Sequence, residues 1–298
     1  MESKFGHDPV SGARWEIRGP AKGIPIVEAW ADDYIRFDGL PPWQEELRDE
    51  IRRRGRLLEP AEGQVLQASV FGPKPSNADV ENLVLYNIGS FAVAGRNGIR
   101  FEHGVVPPPA PDGATYRFCY RYALVPRCRT LASFDCDWID LGAFSGEKKL
   151  AQVWLALARG FKAGEVKVFM PVIDPETAFA VNIEIRAPRG QKYVLGNLVK
   201  PIFDGVISAF QAHADLSVLP EVLPLLAKQV QADPEEIRGC LLDQSRAVLG
   251  AVNRLVAPYG ASVKWYPSDH LCVAGELLAA DPVDDNWAIR GKVVELFR

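Results

Sequence analysis

Histidine is scarce in this chain, and its four copies are scattered. His7, His103, His213 and His270 form no HExxH or comparable pair, which removes the usual signature of a helical zinc-hydrolase site. A GxSxG elbow and a GxxxxGK[ST] phosphate loop are absent too, and the glycines near Gly89, Gly95 and Gly98 match no nucleotide fingerprint. The cysteines are few and odd in number: Cys119, Cys128, Cys136, Cys240 and Cys272. None falls in a CxxC pair, so buried thiols in a reducing compartment are expected rather than a disulfide framework. No run of about 18 apolar residues occurs, so no transmembrane helix is expected. The first residues, Met1 to His7, contain no apolar stretch, so no signal peptide is expected and the cytoplasm is the expected compartment. An excess of positive charge is also missing. Lys and Arg number 34 against 38 Asp and Glu, a net charge of −4, so a nucleic-acid function has to rest on a local basic patch.

What is present is ordinary globular material. The 298 residues are 48% hydrophobic and 24% charged, enough to bury a full core without staples. The first twenty residues are polar and glycine-rich and read as an irregular lead-in, followed by a strand from Gly23 to Trp30. Pro42 to Leu58 reads as a helix, with Pro41 and Pro42 at its start and Arg52-Arg53-Arg54 at its cationic end. Gln64 to Phe71 alternates as a strand, and Asp79 to Ile88 reads as a helix. Tyr116 to Val125 is a strand with Phe118, Tyr120 and Tyr122 on one face. Residues 126–147 are irregular and mark a domain boundary. Beyond them, Lys148 to Ala158 is helical, and Val166 to Met170 and Ala178 to Arg186 are strands.

Leu198, Ile202, Val206 and Phe210 recur every four residues, placing a helix over Asn197 to Ala214. Pro220 to Gln231 forms a further helix. Asp233-Pro234 opens the next with an N-cap and an N1 proline, running to about Ala257. Leu271 to Leu278 and Trp287 to Phe297 read as strands. The order is α+β, without regular βαβ alternation.

Two segments share a frame. Asp79-Val80-Glu81-Asn82-Leu83-Val84 and Val194-Leu195-Gly196-Asn197-Leu198-Val199 have Asn-Leu-Val in common, each ahead of an apolar helix. The second continues as Lys200-Pro201-Ile202-Phe203-Asp204-Gly205-Val206, and a later segment reads Trp265-Tyr266-Pro267-Ser268-Asp269-His270-Leu271. This set resembles the signature of the RusA family of Holliday-junction resolvases, Asp-x-Asp-Asn-Leu-x-Lys, followed by a helix with an Asp and a later aromatic ahead of an acidic pair that enters a strand. The resemblance covers about residues 165–298. It implies an α+β, RusA-like fold of two similar α/β halves in a pseudo-dimer, spanning 23–146 and 147–298 behind the lead-in at 1–22. A helical insertion near 216–262 interrupts the second half.

The resemblance is degenerate. The two signature aspartates, which in the family hold the magnesium that activates water, fall on Val194 and Gly196, whose side chains cannot ligate. Asn197, Lys200, Asp204 and Asp269 remain in the second half. The first half keeps Asp79, Glu81 and Asn82 but has Leu85 where the family has lysine, and Glu102 is its nearest later acid. The resemblance therefore implies a protein that binds nucleic acid or a protein partner without cleavage and needs no cofactor. Its alternative is a magnesium-dependent, structure-selective endodeoxyribonuclease with Asp79 and Glu81 as catalytic metal ligands. A small-molecule enzyme of unrelated fold is the third class.

Each residue also has a structural reading. Asp79 would cap the following helix, Lys200 would be a solvated helix lysine, and Asp269 a turn residue before a strand. Asp135, Asp137 and Asp140 form a second acidic cluster, lacking the glycine and closing glutamate of an EF-hand. Arg189, Lys192, Asn197 and Lys200, interleaved with Tyr193 and Phe203, are the candidate nucleic-acid contacts, and the run Arg52 to Arg56 is the other basic segment.

Overall fold

The computed structural model describes residues 3–75, 78–88, 93–126, 139–142, 144, 149–168 and 178–295. The elements in chain order are β1 (Ser3–His7), β2 (Arg14–Arg18), β3 (Ile26–Ala31), α1 (Pro42–Gly55), β4 (Gln64–Phe71), α2 (Val80–Ile88), β5 (Gly98–Gly104), β6 (Phe118–Pro126) and β7 (Ile139–Gly142). Then come α3 (Lys149–Ala163), β8 (Phe179–Arg186), α4 (Gly196–Ala209), β9 (Ala212–His213), α5 (Leu219–Val230) and α6 (Pro234–Leu242). The chain ends in β10 (Ala251–Val252), β11 (Val256–Tyr259), β12 (Ser262–Trp265), β13 (Cys272–Ala280) and β14 (Trp287–Glu295). The protein is α+β. It divides into two compact units: residues 1–131 with 192–197 and 272–279, and residues 132–191 with 198–271 and 280–298.

In the first unit the strands lie in the order β1-β2-β3-β6-β4-β5-β13. The sheet is mixed: β4 and β5 run parallel, while the other neighbours described are antiparallel. One face is apolar. Trp15, Ile17, Val27, Ala29, Tyr120 and Tyr122 are buried there, and so are Trp43, Leu47 and Ile51 of α1. The tyrosine hydroxyls are tied down. Tyr120 accepts from the Ile35 N–H at 2.8 Å, and Tyr122 donates to the Val84 carbonyl at 2.9 Å. Arg48 joins α1 to its surroundings by donating to the carbonyls of Arg36 and Phe37 and to Asn87.

The opposite face carries a cross-strand row of polar partners set by register. Glu28 faces Arg18 and Arg121, Ser69 faces Glu102, and Arg100 faces Glu276. Glu28 pairs with Arg18 at 2.6 Å and with Arg121 at 2.7 Å, Ser69 donates to Glu102 at 2.9 Å, and Arg100 is ion-paired with Glu276.

The helix expected over Asn197 to Ala214 ends at Ala209 with β9 after it, β7 lies within the stretch 126–147 read as irregular, and two further expectations are corrected. Residues 1–22 are not an irregular lead-in, because Ser3–His7 and Arg14–Arg18 form an antiparallel hairpin. Asp8 caps its turn, accepting from the N–H groups of Val10 and Ser11, and Gly12 supplies the left-handed conformation at φ 72°. Trp15 and Ile17 bury on the core side of β2, while β1 is an exposed edge, which is why it reads as polar. The second correction concerns the helix after Asp233, which stops at Leu242 rather than near Ala257. The chain turns extended at Asp243, and the buried Arg246 guanidinium donates to the carbonyls of Ala209 and Cys240. Residues 216–262 are therefore helical only in part and end in short strands.

In the second unit β8, β14 and β7 lie side by side, all antiparallel. Gly205 lets α4 approach α3: a Cβ there would sit 2.6 Å from the Val153 Cβ and 2.9 Å from the Leu150 carbonyl oxygen. Asp233 caps α6 as expected, accepting from the N–H groups of Glu235 and Glu236. No described helix is long and apolar enough to cross a membrane.

Candidate functional site

The candidate residues fall into two groups, one in each unit. In the first, Asp79 immediately precedes α2, and Glu81 and Asn82 lie in its first turn. The Asn82 side-chain amide donates to the Asp79 carboxylate at 2.7 Å. Carboxylate oxygens of Asp79 and Glu81 lie within 4.8 Å of one another, and Glu81 is 3% exposed. Two acids at that separation, one buried, supply part of the oxygen donor set that a hard divalent cation takes. Glu102 has a different use, since its Oε1 accepts from Gln67 at 2.6 Å and from Ser69 at 2.9 Å. His103 Nε2 lies 2.8 Å from the Gly72 carbonyl oxygen. Asn197 and Lys192 belong to the same unit by chain segment and are exposed.

The second group is built on α4. Lys200 and Asp204 are one turn apart, with Nζ 3.4 Å from the Asp204 carboxylate. The short helical turn at Asp269–Leu271, just before β13, brings a second acid to the same ammonium, at 3.5 Å. The two carboxylates are nearly buried, with side chains 11% and 16% exposed, while Lys200 is 42% exposed. Such an arrangement satisfies two partly desolvated acids with one cation. A divalent ion there would have to displace the lysine. Arg189 is exposed, and its guanidinium donates to the Val283 carbonyl.

The Arg52 to Arg56 run is largely used internally. Arg53 and Arg54 both pair with Glu50, at 2.7 and 2.9 Å, and Arg52 donates to the Tyr86 carbonyl at 3.0 Å. Asp135, Asp137 and the Asp140 side chain lie outside the described residues, as do Cys128 and Cys136; Cys119, Cys240 and Cys272 are buried thiols. Among the described residues, then, the structure gathers Asp79, Glu81 and Asn82 in one group and Lys200, Asp204 and Asp269 in another. Comparison with protein-family models, with curated proteins and with solved structures returned no match to the chain.

Proposed function

We propose that this is a RusA-like protein of two related halves in a pseudo-dimer, with a degraded nuclease site, that binds nucleic acid or a protein partner without cleaving it. The observation that carries this reading is the Lys200 ammonium facing both Asp204 and Asp269. Where the family places magnesium-holding carboxylates the chain has Val194 and Gly196, and the acids that remain are neutralised by its own lysine. Exposed Arg189 and Lys192 favour nucleic acid over a protein partner. With a net charge of −4, attraction has to come from these few local contacts. The test is binding to a four-way junction and to linear duplex across a salt series, with cleavage monitored in magnesium or manganese. Weak, salt-sensitive binding without incision is expected.

A second reading is favoured by one observation, the approach of the Asp79 and Glu81 carboxylates within 4.8 Å. On that reading these two acids hold magnesium in a structure-selective endodeoxyribonuclease. Tight, junction-selective binding with incision abolished by Asp79→Asn would establish it in place of the first.

A further inference from the structure

The segment 105–117, between β5 and β6 of the first unit, lies against the Trp30 face of the sheet. Trp30 donates its indole N–H to the Pro108 carbonyl at 2.9 Å, and Trp30, Ala110, Tyr116 and Cys119 form one buried cluster against which Phe71 and Ala114 pack. The segment is folded around Asp112, which accepts from the Ala114 N–H at 2.8 Å and from the Tyr116 hydroxyl at 3.1 Å. Arg14 lies over the Tyr116 ring and donates to the Thr115 carbonyl.

Directly opposite Trp30 in the register of β2 and β3 is Glu16. It is fully buried, and neither carboxylate oxygen has a hydrogen-bond partner. Every other acid named on this sheet face is paired. An ionised carboxylate buried without a partner is costly, and a neighbouring negative charge raises that cost.

We propose that residues 105–117 form a pH-sensitive strap, closed over Trp30 when Glu16 carries a proton and loosened when Glu16 ionises. The groups around Glu16 set the sign. On the strap, Asp112 opposes ionisation and Tyr116 is neutral. On its own strand Arg18 favours the charged form weakly, because it is already paired with Glu28 of β3 and stacked 4.8 Å from the Trp30 ring. On β1 the Ser3 hydroxyl, and on the strap the Asp112 backbone N–H, face the carboxyl without reaching hydrogen-bond geometry. His7 of β1 acts on Asp8 and Asp32 instead. Burial dominates, with Asp112 next, and together they hold the Glu16 carboxyl above its ordinary range. A carboxyl raised in the closed state favours closure fully at low pH, and that contribution is lost as pH rises through the closed-state pKa. Opening would uncover the apolar floor of Trp30, Phe71 and Cys119.

The experiment is amide hydrogen exchange of residues 105–117 across a pH series, corrected for intrinsic exchange, with β4 as internal reference. Protection of the strap should fall by up to about tenfold per pH unit as pH rises from the ordinary carboxylate range to the closed-state Glu16 transition, and level off above it, while β4 stays constant. Glu16→Gln should keep the strap protected at all pH values. Asp112→Asn should leave a smaller pH-dependent loss. Wild-type protection that is flat with pH, a β4 that loses protection in step with the strap, or a Glu16→Gln protein that follows the wild-type curve would each overturn the proposal.

Discussion

Asn82 donates its side-chain amide to the Asp79 carboxylate at 2.7 Å, one turn apart at the start of α2. Asp79 is thereby held by the residue that, in the shared frame, corresponds to Asn197. On the binding-only reading, wild-type protein and Asp79→Asn bind a four-way junction alike, and neither incises it in magnesium or manganese. Gel separation of labelled strands decides the point; incision by the wild type alone would move the assignment to the endonuclease.

Salt dependence should report the few phosphate contacts available. Each contact on duplex DNA contributes a slope of about −0.9 in log affinity against log salt. Replacing Lys192 by alanine should flatten the slope by up to about one such contact and weaken binding to all sequences alike. Fluorescence anisotropy at several salt concentrations measures it. An unchanged slope would remove this lysine from the interface.

Removing Lys200 should also register in stability. Lys200→Ala leaves Asp204 and Asp269, both nearly buried, without the ammonium that faces them. Because the lysine is itself 42% exposed and screened, the expected loss is modest, about 1 kcal/mol. Urea unfolding checks it, and the double variant Lys200→Ala, Asp204→Asn should recover part of the loss.

Glu50 is the clearest source of acid sensitivity. The Arg53 guanidinium, then that of Arg54, hold its carboxyl down at about 2, against the resistance of burial. With the folded-state value depressed, the stabilisation is present above the ordinary carboxylate range and is lost as pH falls from there toward about 2. Glu50→Gln should cost roughly 1–3 kcal/mol near neutral pH, since Arg54 is only 4% exposed, and should flatten the acid limb. Thermal unfolding from neutral to acid pH tests both parts.

At Gly205 two effects oppose each other. Alanine gains about 1 kcal/mol of helix propensity over glycine. The new Cβ would lie 2.6 Å from the Val153 Cβ and 2.9 Å from the Leu150 carbonyl, which is backbone and cannot swing away. Overpacking of that kind costs typically 1–3 kcal/mol. Gly205→Ala should therefore lower stability on balance, by chemical denaturation; a more stable variant would show that α3 and α4 separate easily.

Elements with a strong local signal were legible in the sequence. The alternation of Gln64 to Phe71 marks β4 at its observed ends, and Asp233-Pro234 marks the start of α6 through cap chemistry that needs no tertiary partner. β5 was not among the expected strands although Ile99 and Phe101 alternate with Arg100 and Glu102, because that alternation is short and bounded by glycine at both ends. The end of α6 was not legible, since it depends on where Arg246 finds carbonyls to bond. For the candidate site, the spacing of Lys200 and Asp204 already places them on one helix face. Only the folded chain brings Asp269 to the same ammonium.

The sequence by itself determined the α+β class, the caps and the apolar stripes, because period and local hydrogen bonding are properties of neighbours along the chain. Tertiary structure alone decided which charges are paired and which are stranded. In Trp15-Glu16-Ile17-Arg18 the alternation reads as an apolar face and a solvated one. Arg18 meets Glu28 across the strand, while Glu16 is closed in by residues almost a hundred positions away and meets none. Burial and partnership depend on distant segments, and no local pattern records them.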